Sequence, residues 1–256
     1  MPPSYKCEGP SNGASVSFGE ADFEFSFAFQ PIVNARTHQV VSFEALVRGP
    51  DGEPSADVFA RVPRSSLLRF DQACRLKAIQ LASRLHVETQ LNINLLPKSI
   101  YLTGMNIGTT LLASSQCGFP IENIVFEVSE AGRLTDYRRM VNIFKEHEEF
   151  GFKTAIDDFG TGYSGLKLLV EYQPNYIKLD RNLIADIHED RVKQTIVKAM
   201  GYVCRQLSIE MMAEGVEKAE EYRWLHEAGI NLFQGYYFAR PAFEALSEVS
   251  PKLFAV

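Results

Sequence analysis

In the stretch Lys153 to Leu166, KTAIDDFGTGYSGL, a short apolar run (Thr154-Ala155-Ile156) ends in two adjacent carboxylates, Asp157 and Asp158. A glycine-punctuated turn, Phe159-Gly160-Thr161-Gly162, then feeds a helix whose N-cap is read as Ser164. Two acids at the end of a buried strand repel each other and lose hydration, which is costly unless cations or hydrogen-bond donors satisfy them. Divalent metal ions are the simplest remedy. An Asp-rich loop that caps its own helix is the plainer alternative, and this stretch by itself does not decide between them.

Polar groups recur where the other apolar runs stop. A second run carries Glu44, a third stops at Asn94, a fourth at Glu127, a sixth presents Lys178, a seventh stops at Glu214 and an eighth at Gln234. Each has its own bland explanation: Glu44 pairing with Arg48, Asn94 capping a turn, Lys178 reaching solvent, Glu214 starting a surface helix. Five carboxylates, two amides and one ammonium converging on one pocket would not be a device for stability, because like charges repel there without cations. Such a ligand set is all oxygen and favours Mg²⁺ or Mn²⁺ over Zn²⁺. The histidines at 38, 86, 147, 188 and 226 share no ligand spacing and read as structural or surface residues. Adjacent Asp157 and Asp158 are placed to bridge two metals, an arrangement suited to in-line displacement at phosphorus.

The elements that must position these groups alternate. Phe23 to Gln30 reads as a strand, the turn at Arg36 to Gln39 joins it directly to a strand over Val40 to Val47, and strand and helix then follow one another. Helices are expected at Leu67–Leu85, around Thr110–Gln116, and at Asp136–Phe150, Arg191–Leu207 and Lys218–Ala228. Strands are expected at Gln90–Leu95, Asn123–Val128, Tyr176–Leu179, Ser208–Ala213 and Ile230–Phe233. The first helix carries a stripe of Leu67, Phe70, Cys74, Ala78, Leu81 and Leu85; that at Arg191–Leu207 carries Val192, Ile196, Ala199, Val203 and Leu207. Gly118, Gly151 and Gly229 end helices that open straight into strands, as left-handed αβ joints. Eight strands in 256 residues favour an α/β fold, a closed (β/α)8 TIM-like barrel, over a doubly wound sheet. The hairpin-like first join runs one strand against the rest. The strand ends of such a barrel converge on one mouth.

Composition narrows the function. The hydrophobic content of 46% fills a barrel core, and the net charge of −6, with no Lys/Arg cluster, argues against a nucleic-acid polymer as partner. No apolar run is long enough to span a bilayer. Residues 1–20, rich in Gly, Ser and Pro, read as a mobile tail preceding a domain over 21–256. Cys7, Cys74, Cys117 and Cys204 form no CxxC pair and read as reduced thiols of a cytoplasmic protein.

Taken in order, these residues resemble the EAL family of cyclic-di-GMP phosphodiesterases. The likeness runs from about Phe27 to Pro241. Its motifs are FQPIV at the first strand, EALVR at 44–48, NINLLP at 92–97, FEVSE at 126–130 and AIDDFGTGYSGL at 155–166. It continues with YIKLD at 176–180, AEGVE at 213–217 and FQGYYFARP at 233–241. The resemblance implies a barrel with an antiparallel first strand and two divalent cations, Mg²⁺ or Mn²⁺. Glu44, Asn94, Glu127 and Asp157 would hold one cation; Asp157 would bridge to a second held with Asp158 and Glu214.

Under the same resemblance, water activated between the cations opens cyclic-di-GMP to linear pGpG. Lys178 orients the attacking group, Glu44 and Glu214 belong to the catalytic set, and Glu214 serves as general base or only as ligand. Gln30, Arg48 and Gln234 contact the substrate, and Glu130 anchors the DDFGTG loop. The resemblance also implies a homodimer through helices near the Asp157–Ser164 loop, and because this chain carries no sensor module, regulation is expected from a protein partner, from dimerisation or from a removed region. Two other readings stand beside this one: a receptor that binds the nucleotide without cutting it, and another metal-dependent barrel enzyme such as an enolising lyase.

Overall fold

The computed structural model describes residues 16–17, 22–96, 107–129, 137–162 and 165–255. Among them eight strands close a barrel: β1 (Ser26–Asn34), β2 (Gln39–Arg48), β3 (Gln90–Asn94), β4 (Ile124–Ser129), β5 (Lys153–Phe159), β6 (Tyr176–Leu179), β7 (Glu210–Ala213) and β8 (Leu232–Phe233). Strands β2 to β8 are parallel to their neighbours, and β1 runs antiparallel to both β2 and β8, so the ring closes through one reversed strand. A short strand β9 (Ala242–Phe243) adds antiparallel to β1 near its start. The expected fold class is therefore found, including the reversed first strand.

Local chemistry explains the joins. Asn34 Oδ1 accepts the backbone N–H of Arg36 at 2.9 Å and folds the chain back from β1 to β2. Strand β1 continues past Pro31, where a stop was expected; the proline costs one ladder donor, and the register shifts just beyond it, between Ile32 and Val33. Gly118, Gly151 and Gly229 adopt φ of 62°, 93° and 96°, the left-handed joints read from the sequence.

The described helices are α1 (Ser55–Arg61), α2 (Leu67–Arg84), α3 (Ile107–Cys117), α4 (Tyr137–Glu149), α5 (Gly165–Glu171), α6 (Arg181–Ile184), α7 (Arg191–Gln206) and α8 (Ala219–Glu227). Of these, α1 and α6 were not anticipated: seven and four residues are too few to show a period. Asp180 and Asp190 cap α6 and α7 through their side chains. The main core lies between strands and helices, with Phe70, Ile79, Phe126, Phe144, Ile156 and Ile177 fully buried.

Two sequence expectations need correction, and others fall outside the described residues. The stripe on α7 faces outward: Val192 and Ile196 are 69% and 43% exposed, while Val197, Met200, Gly201 and Cys204 face the core. Periodicity finds an apolar stripe but does not say what covers it. Cys74 and Cys204 are free thiols, but Cys117 is disulfide-bonded, because sequence spacing does not register pairing across a fold. Most of the tail at 1–20, Ser164 and Glu130 lie outside the described residues, whereas Val16–Ser17 pairs antiparallel with Asp22–Phe23. No helix among the described residues is long and apolar enough to cross a membrane.

Candidate metal centre

Inward-facing residues alternate along each strand, so the barrel interior is built in layers. The lower layer includes Ile32, Met212 and Leu232, which form a small apolar cluster of their own. Two residues toward the mouth from each stand Gln30 (on reversed β1), Glu214 and Gln234, and the change from apolar to polar follows from that period of two. Glu44, Asn94, Glu127, Asp157 and Lys178 join them.

Lys178 sits at the centre, its side chain fully buried. Its Nζ lies 3.1 Å from Glu44 Oε2, 3.0 Å from Glu127 Oε2, 3.1 Å from Asp157 Oδ1 and 3.1 Å from Glu214 Oε2. An ammonium has three protons and faces four carboxylates. Aligned hydrogen bonds go to Glu44 and Glu127, while Asp157 Oδ1 and Glu214 Oε2 have charge contact but no hydrogen-bond partner. Glu44 is further held by Asn94 Nδ2 at 2.8 Å and Gln234 Nε2 at 2.7 Å, and Gln234 also donates to Gln30 Oε1 at 3.2 Å.

The two adjacent aspartates reach the mouth through a bulge. A regular strand would send neighbours to opposite faces, but the β5–β6 register shifts between Ile156 and Phe159, and Asp158 takes a left-handed φ of 54°. Asp tolerates that conformation better than most residues. Asp158 Oδ2 then accepts from Ser129 Oγ at 2.6 Å, while its carbonyl accepts from Thr161. Two carboxylate triads result, Glu44–Glu127–Asp157 and Asp157–Asp158–Glu214, each with one oxygen per residue within 4.8 Å of the others, and Asp157 belongs to both.

Electrostatics match this crowding. Burial raises the Glu127 carboxyl well above the usual range, with Lys178 opposing, and burial lifts Glu214 to about 8. Burial also raises Asp158. For Asp157 burial pushes upward, but Lys178 and Glu214 prevail and its pKa is lowered. Burial disfavours the Lys178 ammonium, yet the four carboxylates around it override that and raise its pKa. The donor set fits divalent cations: it is all oxygen, it includes buried carboxylate oxygens without hydrogen bonds, and it forms two triads sharing a residue.

The structure brings together Gln30, Glu44, Asn94, Glu127, Asp157, Lys178, Glu214 and Gln234, with Asp158 at the edge. It does not pair Glu44 with Arg48. Arg48 closes β2, donates to its neighbour Val47 O at 2.8 Å, and lines a cavity of about 250 Å³ beside Asn94, together with Phe59 and Leu96. Asn92, Ser42 and Ser129 were not anticipated. Asn92 and Ser42 lie two residues before Asn94 and Glu44, so the period of two could have found them.

Residues 17–241 match the EAL domain family. The chain belongs to that family. It is 48% identical, with a TM-score of 0.88, to a standalone versatile EAL protein from Vibrio cholerae O395 solved in its c-di-GMP bound form, covering 91% of this chain and 99% of that one. It is 38% identical, with a TM-score of 0.85, to Klebsiella pneumoniae BlrP1 in a manganese/cy-diGMP complex, covering 93% and 60%. Among curated relatives from Escherichia coli (strain K12), it is 30% identical to the blue light- and temperature-regulated antirepressor BluF, covering 88% of this chain and 56% of that protein. It is 31% identical to the probable cyclic di-GMP phosphodiesterase PdeD, covering 88% and 43%. The chain thus spans about half the length of these curated relatives.

Proposed function

We propose that the chain is a metal-dependent phosphodiesterase that hydrolyses cyclic-di-GMP to linear pGpG. The observation that carries this reading is the pair of carboxylate triads sharing Asp157 around a buried lysine at the barrel mouth. Glu44, Asn94, Glu127 and Asp157 would hold one divalent cation, and Asp157, Asp158 and Glu214 a second, as Mg²⁺ or Mn²⁺. When bound, such a pair supplies charge for the phosphodiester and makes an attacking water acidic enough to ionise near neutral pH.

The chain's own groups do the rest. Lys178 stays protonated and offsets negative charge that develops at the mouth. Glu214, at 27% side-chain exposure the most open of the four carboxylates around Lys178, would serve as general base or only as a cation ligand. Gln234 donates to both Glu44 and Gln30 and so holds Glu44 in place, Gln30 and Gln234 would contact the substrate, and the Arg48 guanidinium suits a phosphate or guanine edge. Glu130 is proposed to anchor the DDFGTG loop. Incubation with cyclic-di-GMP and Mg²⁺ or Mn²⁺, followed by chromatography for pGpG, tests the reading; tight binding with no product over hours overturns it.

That negative outcome is the second reading, a receptor that binds cyclic-di-GMP and signals through a protein partner. Similarity to an antirepressor favours it. A homodimer is part of either proposal: Leu166 and Val170 on α5, which follows the DDFGTG loop, are 63% and 82% exposed, as are Val192 and Ile196 on α7 at 69% and 43%. A cytoplasmic setting is also proposed, and the disulfide at Cys117 is the observation against it.

A further inference from the structure

Below the carboxylates, the barrel interior holds two polar residues where branched aliphatics ordinarily pack. Ser42 and Asn92 are 2% and 1% exposed and sit in the layer of Ile32, Met212 and Leu232, above a cavity of about 170 Å³. Burying an amide there is unfavourable unless its hydrogen bonds are met. They are met in one direction: Ser42 Oγ donates to Asn92 Oδ1, and Asn92 Nδ2 donates to Glu127 Oε1 at 2.6 Å. The opposite amide orientation would set Oδ1 against a carboxylate, so Glu127 fixes which way Asn92 points.

Among the described residues Asn92 is the one donor to Glu127 Oε1, while Oε2 faces Lys178. We infer that Asn92 is a positioning residue for the metal centre: with Ser42 behind it, its amide ties down Glu127 Oε1 from below, so that the carboxylate presents Oε2 alone to a cation. The inference rests on the metal-dependent reading above. It assigns the lower barrel layer the work of holding a ligand that nothing in the upper layer holds from that side.

The test is Mn²⁺ binding by titration calorimetry to the full chain without nucleotide, beside cyclic-di-GMP binding in EDTA. Asn92→Ala is expected to weaken binding of one Mn²⁺ by about 10–100-fold, as the loss of a group orienting a ligand does. Ser42→Ala should act in the same direction and less, and nucleotide affinity in EDTA should not change. Wild-type Mn²⁺ affinity in folded Asn92→Ala overturns the inference. So does an equal loss of Mn²⁺ and metal-free nucleotide affinity, which would mark general loosening. If Asn92→Ala does not fold, Asn92→Ser, too short to reach Glu127, and Ser42→Ala decide, and unchanged Mn²⁺ affinity in both overturns it. A wild-type chain that binds no Mn²⁺ sinks the metal reading itself and this inference with it.

Discussion

Replacing Lys178 by methionine removes the one cation that, among the described residues, touches all four carboxylates, while keeping most of the length of the side chain. The ammonium lies 3.0–3.1 Å from four carboxylate oxygens with its side chain fully buried. Removing one member of a buried charge pair costs about 3–5 kcal/mol. For a chain of this size about 1 kcal/mol corresponds to ~2–4 °C in Tm, so the variant should melt ~6–20 °C lower in EDTA. Protonation of the carboxylates limits that loss, which gives it a pH dependence with a definite sign. Burial raises Glu127, and lifts Glu214 from 4.5 to about 8, even with Lys178 pulling both down. A carboxyl whose folded pKa is raised stabilises the fold in acid, and that stability is lost as pH climbs from its unfolded value through its folded one. The gap between Lys178→Met and wild type should therefore widen from about pH 5 to pH 8. Differential scanning calorimetry across that range in EDTA measures it. Mn²⁺ should bind the variant at least as tightly as wild type, because no ammonium competes for the same oxygens, yet turnover should vanish. A gap below about 1 kcal/mol at pH 8, or one that does not grow with pH, would refute the claim that the lysine neutralises the cluster.

Further outcomes follow from the same geometry. Glu44→Ala and Asp157→Asn should each lower pGpG formation by at least the ~10²–10³-fold that loss of one preorganised electrostatic group costs, with an unchanged circular dichroism spectrum; near-normal turnover in either would remove it from the metal set. Because Glu214 keeps a proton up to about pH 8, cation binding near pH 7 should release protons, and calorimetry in two buffers of different ionisation enthalpy counts them. A Cβ on Gly235 would overlap the backbone of Val216, which accepts from Tyr237 and donates to Gln234, so Gly235→Ala should displace the segment carrying Glu214 and weaken Mn²⁺ binding along with about 1–3 kcal/mol of stability. Leu166→Glu with Ile196→Glu should leave turnover chemistry in place but shift the mass seen by light scattering from dimer to monomer; an unchanged mass would discard that face as the dimer contact.

The sequence made the strand ends readable because each is a change of character at a fixed place: an apolar run stops and a carboxylate, amide or ammonium follows. Tyr176–Leu179 was bounded correctly, and β3 and β7 to within a residue or two, because parallel strands buried on both faces are short apolar blocks. The α7 face was misread for the same physical reason that makes stripes visible. Val192, Ile196 and Val203 repeat at helical spacing whether a core or another surface covers them, and Val197, Met200 and Cys204 form a second, equally regular stripe. Asp158 was legible as a residue but not as a direction, since only the bulge in β5 turns it toward Ser129.

Asn92 and Ser42 show where attention to strand ends fails. They stand one inward-facing step below Asn94 and Glu44, in positions that alternation alone puts on the same face, and both are polar where the layer calls for aliphatics. A polar residue in that layer is a stronger signal than an acid at a strand end. The end acid has solvent, capping and surface pairing as alternatives, whereas a buried amide has to find its partners inside the barrel. Asn92 finds Glu127 above and Ser42 beside it, so the centre reaches one layer deeper than its carboxylates. The rigidity of that lower layer, more than the number of acids at the rim, is what would let repelling carboxylates stand within 4.8 Å of one another in a fixed arrangement.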